Sequence, residues 1–579
     1  MTVDNPLIVQ SDRTLLLEVA HPRAEECRAQ LARFAELERS PEHIHTYRIS
    51  PLSLWNAAAA GMSPAEMVAA LNEFSKYPVP AAIGSEIVDQ ASRYGRLVIE
   101  SDGGSLILRA DEPAVLEEVS RAKAVAALLG ARLGPDRFAF MPLARGRLKQ
   151  ALIKAGWPAR DLAGYTDGVA LELGLVSETA DGEPFVLRPY QHAAARAFWM
   201  AGGAEGGSGV LVLPCGAGKT VIGMDVMAQA CTSTLILATN VVAVRQWKAE
   251  VLRRTTLRED QVGEYSGQEK SVRPVTIATY QVLTHRSKGA DKEDPNSYPH
   301  LALLSGADWG LVIYDEVHLL PAPVFRMTAE IQSKRRLGLT ATLIREDGRE
   351  DDVFSLIGPK RYDAPWRELE GQGWIAPAVC EEVRVAFDQE RRMEYAVAEL
   401  ADRHRIAATN PRKLAVLEAI ARHHADDRVL VIGQYIDQLE EVAAHLGSPL
   451  LTGKTANRER EKLYEAFRTG ELRRLVVSKV ANFSIDLPEA NVAIQISGTF
   501  GSRQEEAQRL GRILRPKADG GQASFYTIVT RESSDQDFAL HRQMFLAEQG
   551  YRYEISDESR WVADLPPSGR PVLRVLSSE

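Results

Sequence analysis

From about residue 184 onward, short apolar runs alternate with stretches of helical period. Residues 210–213, 234–238, 275–278, 311–314 and 336–339 are too short for helices and rich in Val, Ile and Leu. They read as buried strands, and the intervening helices make the arrangement a parallel α/β sheet. The rhythm breaks at 359–373 (PKRYDAPWRELEGQG), where a hinge is expected. It resumes with runs at 429–432, 449–451, 475–477, 492–496 and 524–529, which predict a second sheet.

The first third of the chain is patterned differently. Residues 7–19 alternate apolar and polar about Ser11-Asp12-Arg13 and predict a hairpin, with a helix from about Arg23. Ser50-Pro51 and Ser63-Pro64 each place serine at the N-cap and proline at the first helical position, and Glu66 completes a capping box with Ser63. Two short helices split at Gly61 follow, then a helical stretch at 81–94. A hairpin, 97–100 with 106–109, turns at Asp102-Gly103-Gly104. Helices followed by a hairpin fit a winged-helix-like module or a small α+β packing domain equally well. Helical patterning continues at 145–156 and 161–165, residues 179–183 form a polar, acidic linker, and the tail after Pro566-Pro567 is expected to be disordered.

Composition narrows the class. With 579 residues and 45% hydrophobic content, several domains are expected. No run of about 18 apolar residues exists to cross a membrane, and residues 1–13 lack a signal peptide's basic start and apolar centre, so a cytoplasmic location is expected. Cys27, Cys215, Cys231 and Cys380 have neither disulfide-framework nor zinc spacing. A net charge of −9 argues against coating nucleic acid by bulk charge but allows a local basic groove.

The chemistry concentrates where strands end. After 210–213 comes Pro214-Cys215-Gly216-Ala217-Gly218-Lys219-Thr220, a glycine turn opening a helix. Backbone N–H groups there cradle phosphates, Lys219 reaches the outer ones, and the Thr220 hydroxyl ligates magnesium. Leu213 stands where the strict phosphate-loop pattern has glycine. Asp315-Glu316-Val317-His318 closes another apolar strand, with Asp315 suited to hydrated magnesium and Glu316 to orienting and deprotonating water. Ahead of the loop, Gln191 is placed to read an adenine edge with its amide, while Arg188 or Tyr190 stacks nearby.

Thr340-Ala341-Thr342 closes the next strand with small hydroxyls that can bond the acidic motif. In the second sheet region, Arg509, Arg512 and Arg515 recur every third residue and so share one side of a helix. Arg512 and Arg515 are candidate arginine fingers for a γ-phosphate, and Gln508 a candidate for positioning water. Arg245, Trp247, Thr279 and Tyr280 in the first lobe, with Gln434, Ser478 and Lys479 in the second, all follow apolar strands and suggest a nucleic-acid track.

Together these motifs resemble the XPB DNA helicases of superfamily 2. The resemblance spans nearly the whole chain and is most specific in the DEVH box, TATLIRED, SKVANFSIDLPEA and the amino-terminal HTYRISPLSLWNA. It implies a bacterial member with two tandem RecA-like parallel-sheet lobes preceded by an α+β amino-terminal accessory region. The expected divisions are an accessory domain at 1–134, a small DNA-engaging or linker region at 135–183, lobe 1 at 184–364, lobe 2 at 365–555 and a tail at 556–579. It further implies ATP and Mg2+ as cofactors, 3′-to-5′ unwinding in DNA repair, nucleoid association, DNA and a repair nuclease as partners, and action as a monomer. Arg345, Glu346 and Asp347 would assist strand separation. One departure is that residues 388–411 leave room only for a short version of the thumb-like insertion of eukaryotic and archaeal members. A double-stranded DNA translocase and an ATP-gated DNA scaffold remain as alternatives.

Overall fold

The computed structural model describes residues 5–562 except 40–42, 103–104, 142–143, 164–166, 180, 204–205, 215, 286–298, 301–305, 318–332, 342–349, 365, 375–377, 479–489, 499–522 and most of 538–552. The chain divides into two compact units, Met1–Ala364 and Pro365–Glu579.

The first unit opens with the expected hairpin, β1 (Leu7–Val9) and β2 (Thr14–Glu18). It belongs to a four-stranded antiparallel sheet with β3 (Glu36–Arg39) and β4 (Ile44–Arg48), in the order β1-β2-β4-β3. Both serine caps form. The helix Pro51–Ala59 is capped by Ser50 Oγ, which accepts from Ser53 N at 3.0 Å, and Pro64–Phe74 by Ser63, whose N–H donates to Glu66 Oε2 at 2.7 Å.

After the helix Ala81–Ser92 comes the second hairpin, β5 (Leu97–Asp102) and β6 (Ser105–Ala110). It is not an exposed wing. The strands β7 (Leu129–Arg132), β8 (Arg137–Phe140) and β9 (Ala159–Asp161) flank it in a sheet of order β7-β8-β6-β5-β9. Leu97, Ile99 and Leu108 are buried with Leu116, Leu148 and Leu152 of the helices Pro113–Arg121 and Arg145–Lys154. Burial of the hairpin on this core makes the region an α+β packing domain. The sheet also runs through residue 134, where the sequence placed a boundary, and Asp161 ends a strand where a helix was expected.

Lobe 1 holds seven parallel strands: β10 (Ser208–Val212), β11 (Thr234–Ala238), β12 (Val262–Tyr265), β13 (Val275–Thr279), β14 (Leu311–Asp315), β15 (Arg335–Thr340) and β16 (Lys360–Asp363). Their order is β12-β13-β11-β14-β15-β10-β16. β16 occupies residues 360–363 of the segment read as a hinge, because Val210 N–H donates to Pro359 O and Ala364 N–H to Val212 O, adding it to the sheet. The segment before the acidic linker already packs on this lobe. Gly168, at φ +78°, lies so close to Gly310 that a Cβ would meet its nitrogen at 2.1 Å. The accessory region is tied to the same lobe by Lys360 N–H to Asn56 Oδ1 (2.9 Å), by Gln150 Nε2 to Asp352 Oδ1 (2.8 Å) and by the cluster Trp55, Ile153 and Phe354.

The second unit repeats the plan. Its strands are β17 (Ala378–Val385), β18 (Val429–Gly433), β19 (Leu450–Leu451), β20 (Arg474–Ser478), β21 (Val492–Gln495), β22 (Ala523–Thr530) and β23 (Tyr553–Asp557). All are parallel, in the order β19-β20-β18-β21-β22-β17-β23. The short insertion forms two helices, Gln389–Val397 and Leu400–Ala408. Beneath the sheet, Lys413 and Asp535 form a fully buried ion pair (0% and 1% exposed, 2.7 Å), with Lys413 Nζ also donating to Ile496 O and Thr530 N–H to Asp535. Replacing Asp535 by Ala leaves a buried ammonium without its counter-charge. The expected loss is about 3–5 kcal/mol, read as a lowered urea midpoint for hydrogen exchange in β21 and β22; an unchanged midpoint would show that water or another group takes over the lysine.

Candidate functional site

In a parallel sheet, side chains that meet a ligand gather at the carboxyl ends of the strands. At that edge of lobe 1, β10 runs into the glycine turn. Gly216 and Gly218 take left-handed φ values of 83° and 77°, which an L side chain adopts only at a cost. A Cβ on Gly218 would also lie 2.5 Å from Gln191 Nε2. The helix Lys219–Ala230 starts directly after, so the loop ends on a positive helix terminus, with Lys219 and Thr220 in its first turn. These features fit a phosphate group. Leu213, at the position where glycine is usual, is buried, and its N–H donates to Thr340 O at 2.9 Å, which fastens the loop to the end of β15.

β15 lies between β10 and β14, and the site closes across it. Lys219 Nζ sits 2.7 Å from Glu316 Oε1. Glu316 follows the last residue of β14 with φ +50°, a left-handed conformation that is uncommon for glutamate and directs the chain out of the sheet. Asp315 is half-buried beside it. Burial, then the Glu316 carboxylate, hold its acid up at about 6, against the opposing pull of the Lys219 ammonium and the Trp247 hydrogen bond.

Two aromatic residues hold this aspartate. The Trp247 indole Nε1–H donates to Asp315 Oδ2 at 2.8 Å, and the Tyr280 hydroxyl donates to the Asp315 carbonyl at 2.7 Å. Trp247 is 2% exposed and lies against Gly223 of the helix after the loop, where a Cβ would meet the ring at 2.7 Å. Both residues were read from the sequence as part of a nucleic-acid track. Their rings are buried and their polar atoms are spent on Asp315, so neither is placed to stack on a base. Of the other first-lobe members, Thr279 is buried, whereas Arg245 is exposed and bonds Gln268 Oε1 at 2.6 Å.

Gln191 also has an internal use. Its Oε1 accepts from Arg188 N–H (3.0 Å) and its Nε2 donates to Ala217 O (3.0 Å), where the Tyr190 hydroxyl also donates (2.7 Å). Arg188 reaches Tyr190 OH at 3.2 Å. In this geometry the three residues brace the phosphate loop from behind. No sequence signal announced that bracing, since it depends on which carbonyl faces the helix. Pro214 and Ala217 lie in the loop as expected, with Ala217 N–H donating to Pro214 O.

In the second unit, Gln434 and Ser478 stand at the carboxyl ends of β18 and β20, with Gln434 N–H donating to Ser497 Oγ at 2.9 Å. Cys215, His318, Arg345, Glu346, Asp347, Lys479, Gln508, Arg512 and Arg515 lie outside the described residues. Among the described residues, no helix is long and apolar enough to cross a membrane.

A glycine phosphate loop facing an acidic strand end, in a chain of two seven-stranded parallel sheets, defines the class of two-lobed nucleotide-driven motors. Family models agree along the chain. Residues 369–566 match the ERCC3/RAD25/XPB C-terminal helicase, 184–345 the type III restriction enzyme res subunit, and 7–134 a model described as a helicase conserved C-terminal domain. Among its described residues, that last stretch holds the antiparallel sheet β1–β4 and strands β5 to β7, and no parallel lobe sheet. The chain is 60% identical to the DNA 3′-5′ helicase XPB of Mycobacterium tuberculosis, over 96% of this chain and 98% of that one. It is 59% identical to the protein of the same name from Kineococcus radiotolerans, over 96% and 97%. Against the general transcription and DNA repair factor IIH helicase/translocase subunit XPB of Antonospora locustae it is 33% identical, over 95% and 81%. The chain belongs to the XPB helicase family.

The contact between Trp247 and Asp315 is open to direct measurement. Trp247→Phe keeps a ring against Gly223 and removes the donor, so lobe 1 should lose about 1.5–3 kcal/mol, the worth of a hydrogen bond to a charged group. Stability unchanged in denaturant titrations would mean that water replaces the indole without loss.

Proposed function

We propose that the chain is an ATP-dependent DNA helicase that moves 3′ to 5′ and acts on duplex DNA in repair. The observation that carries this reading is the 2.7 Å approach of Lys219 to Glu316 across β15, which brings the phosphate loop and the acidic strand end into one site. Identity of about 60% to two DNA 3′-5′ helicases, over almost their full length, supports it.

The proposed order of events begins with the nucleotide. Phosphates entering the loop meet the backbone N–H groups at Gly216–Lys219 and compete with Glu316 for the Lys219 ammonium. Losing that partner leaves the Glu316 carboxylate to take a proton from the attacking water. Magnesium, which Thr220 and Asp315 would hold, supplies positive charge against the phosphate oxygens. Asp315 keeps one orientation because Trp247 and Tyr280 fix its carboxylate and its carbonyl. Arg512 and Arg515 are proposed to neutralise the transferred phosphoryl group from the second lobe, with Gln508 positioning water. Gln191 and Arg188 are proposed to reach adenine only if they exchange the internal bonds described above. For DNA, Arg245, Gln434, Ser478 and Lys479 are the remaining candidates, without the aromatic pair. A repair nuclease partner, a monomeric state and a nucleoid location are proposed on the family resemblance alone.

Glu316→Gln should bind ATP and lose about 10²–10⁴-fold in turnover, the usual contribution of a positioned acid or base. Near-normal turnover would remove Glu316 from the mechanism. A second reading, translocation along duplex DNA without strand separation, is favoured by the helicase/translocase description of the Antonospora relative. Strand displacement on 3′-tailed and 5′-tailed duplexes, run beside DNA-stimulated ATP hydrolysis, separates the two. Helicase action predicts displacement of the 3′-tailed duplex, and alanine at Arg345, Glu346 and Asp347 together should abolish displacement while hydrolysis persists. Hydrolysis with no displacement by the unaltered protein would establish the translocase.

A further inference from the structure

Within the second unit, β21 ends at Gln495, and each of the next three residues is held by a different element. Lys413 Nζ, in the helix Arg412–His423, donates to Ile496 O at 3.0 Å. Gln434 N–H, just after β18, donates to Ser497 Oγ at 2.9 Å. His404, in the insertion helix Leu400–Ala408, places its Nε2 3.1 Å from Gly498 O. A carbonyl can only accept, so this nitrogen carries the ring proton and donates it. The turn is closed to solvent, with Ile496 and Ser497 each 1% exposed and His404 4% exposed.

The bond from His404 is not what keeps the insertion in place. Thr530 Oγ1 donates to Ala407 O at 2.7 Å, Gln438 Nε2 to Ala408 O at 2.9 Å, and Asn410 Nδ2 to Ala386 O at 3.0 Å. In the other insertion helix, Tyr395 OH accepts from Ser534 N–H at 2.8 Å, and the Tyr395 ring lies 5.2 Å from that of Phe387. These contacts fasten both helices to the ends of β17 and β22. Among the described hydrogen bonds, His404 supplies the one that runs from the insertion to the turn after β21. Burying an imidazole costs solvation that an apolar side chain would not lose, so the donor at this position answers to the carbonyl it meets.

Gly498 is the last described residue before the run that holds Gln508, Arg512 and Arg515. A peptide unit is planar, so a donor that fixes the Gly498 carbonyl also fixes the direction of the bond to residue 499. Lys413, tied beneath the sheet to Asp535, steadies the same turn from the helix Arg412–His423. His404 instead joins it to an element inserted between β17 and that helix. An arginine that neutralises a phosphoryl group acts only within hydrogen-bond reach. Displacement of a reacting group by about 1 Å, caused far from the chemistry, costs on the order of 10²-fold in rate.

We propose that His404 is a positioning residue: by holding Gly498 O it orients the start of the segment that carries Arg512 and Arg515, so that the two-helix insertion governs the rate of ATP hydrolysis and not the affinity for ATP. The inference rests on the reading of Arg512 and Arg515 as arginine fingers. Steady-state ATP hydrolysis by the full chain, with a saturating thymidine oligonucleotide, tests both. His404→Ala should lower kcat by about 10–10²-fold and leave KM for ATP within about twofold. His404→Gln, whose amide N–H can take the place of Nε2–H, should retain most of the turnover. Should the alanine protein not fold, His404→Asn, whose shorter amide does not reach the carbonyl, should show the same loss. Arg512→Ala should itself lower kcat, and adding His404→Ala to it should cost little more, because the two act through one group. Normal turnover in Arg512→Ala would sink the finger reading and this proposal with it. Beside a defective Arg512→Ala, the proposal alone is overturned by unaffected turnover in His404→Ala, by an equal loss in His404→Gln, by a raised KM at unchanged kcat, or by independent losses in the double variant.

Discussion

Two adjacent carboxylates at the end of a buried apolar strand set the terms for lobe 1. Burial makes Asp315 a weaker acid, and the like charge of the neighbouring Glu316 carboxylate adds to the effect. Keeping both usable takes three separate devices. Lys219 arrives from β10 across an intervening strand, Trp247 arrives from the helix Val241–Arg254, and Tyr280 arrives from the end of β13. The strand order, with β15 between β10 and β14, is what allows the lysine to span the gap. Glu316 adds a local cost of about 1–3 kcal/mol for its left-handed backbone. That cost is borne at the residue whose carboxylate must leave the sheet plane to meet the lysine.

The helix Val241–Arg254 links two parts of the site. Its Asn240 cap accepts from Ala243 N–H at 2.9 Å and fixes the start, so that Arg245 points to solvent and Trp247, two positions on, is buried against Asp315. The Arg245 guanidinium and the indole that orients the Asp315 carboxylate therefore lie on opposite faces of one rigid turn.

Much of this was legible in the sequence. Strands made of uninterrupted aliphatic residues, β11, β14 and β18 among them, were found close to their ends, because nothing in them competes with burial. β12 and β17 were missed because each contains buried carboxylates that break the apolar run. Glu264 is satisfied by Ser266, and Glu381 and Glu382 by partners including Ser556, Trp561 and Arg384. Those partners are distant in sequence for Glu381, so no local pattern reveals that its charge is compensated. The loop, Lys219, Asp315 and Glu316 were readable because their chemistry demands residue types at fixed spacing. The roles of Trp247, Tyr280 and Gln191 were not, since an aromatic or amide after a strand looks alike whether it faces a ligand or the protein. Only the fold decides between those uses.

The bond from Lys360 N–H to Asn56 Oδ1 has a meaning beyond fastening two regions together. β16 is the last strand of its sheet, and a bare last strand offers unpaired backbone groups to any other extended chain. Here the helix Pro51–Ala59 lies against that margin and its asparagine occupies a donor that a foreign strand would use. The accessory region is thus part of what keeps lobe 1 from adding strands from neighbouring molecules. A lobe produced without the accessory region would keep the phosphate loop and the acidic strand end and yet expose a sticky border, so its solubility would be the first thing lost.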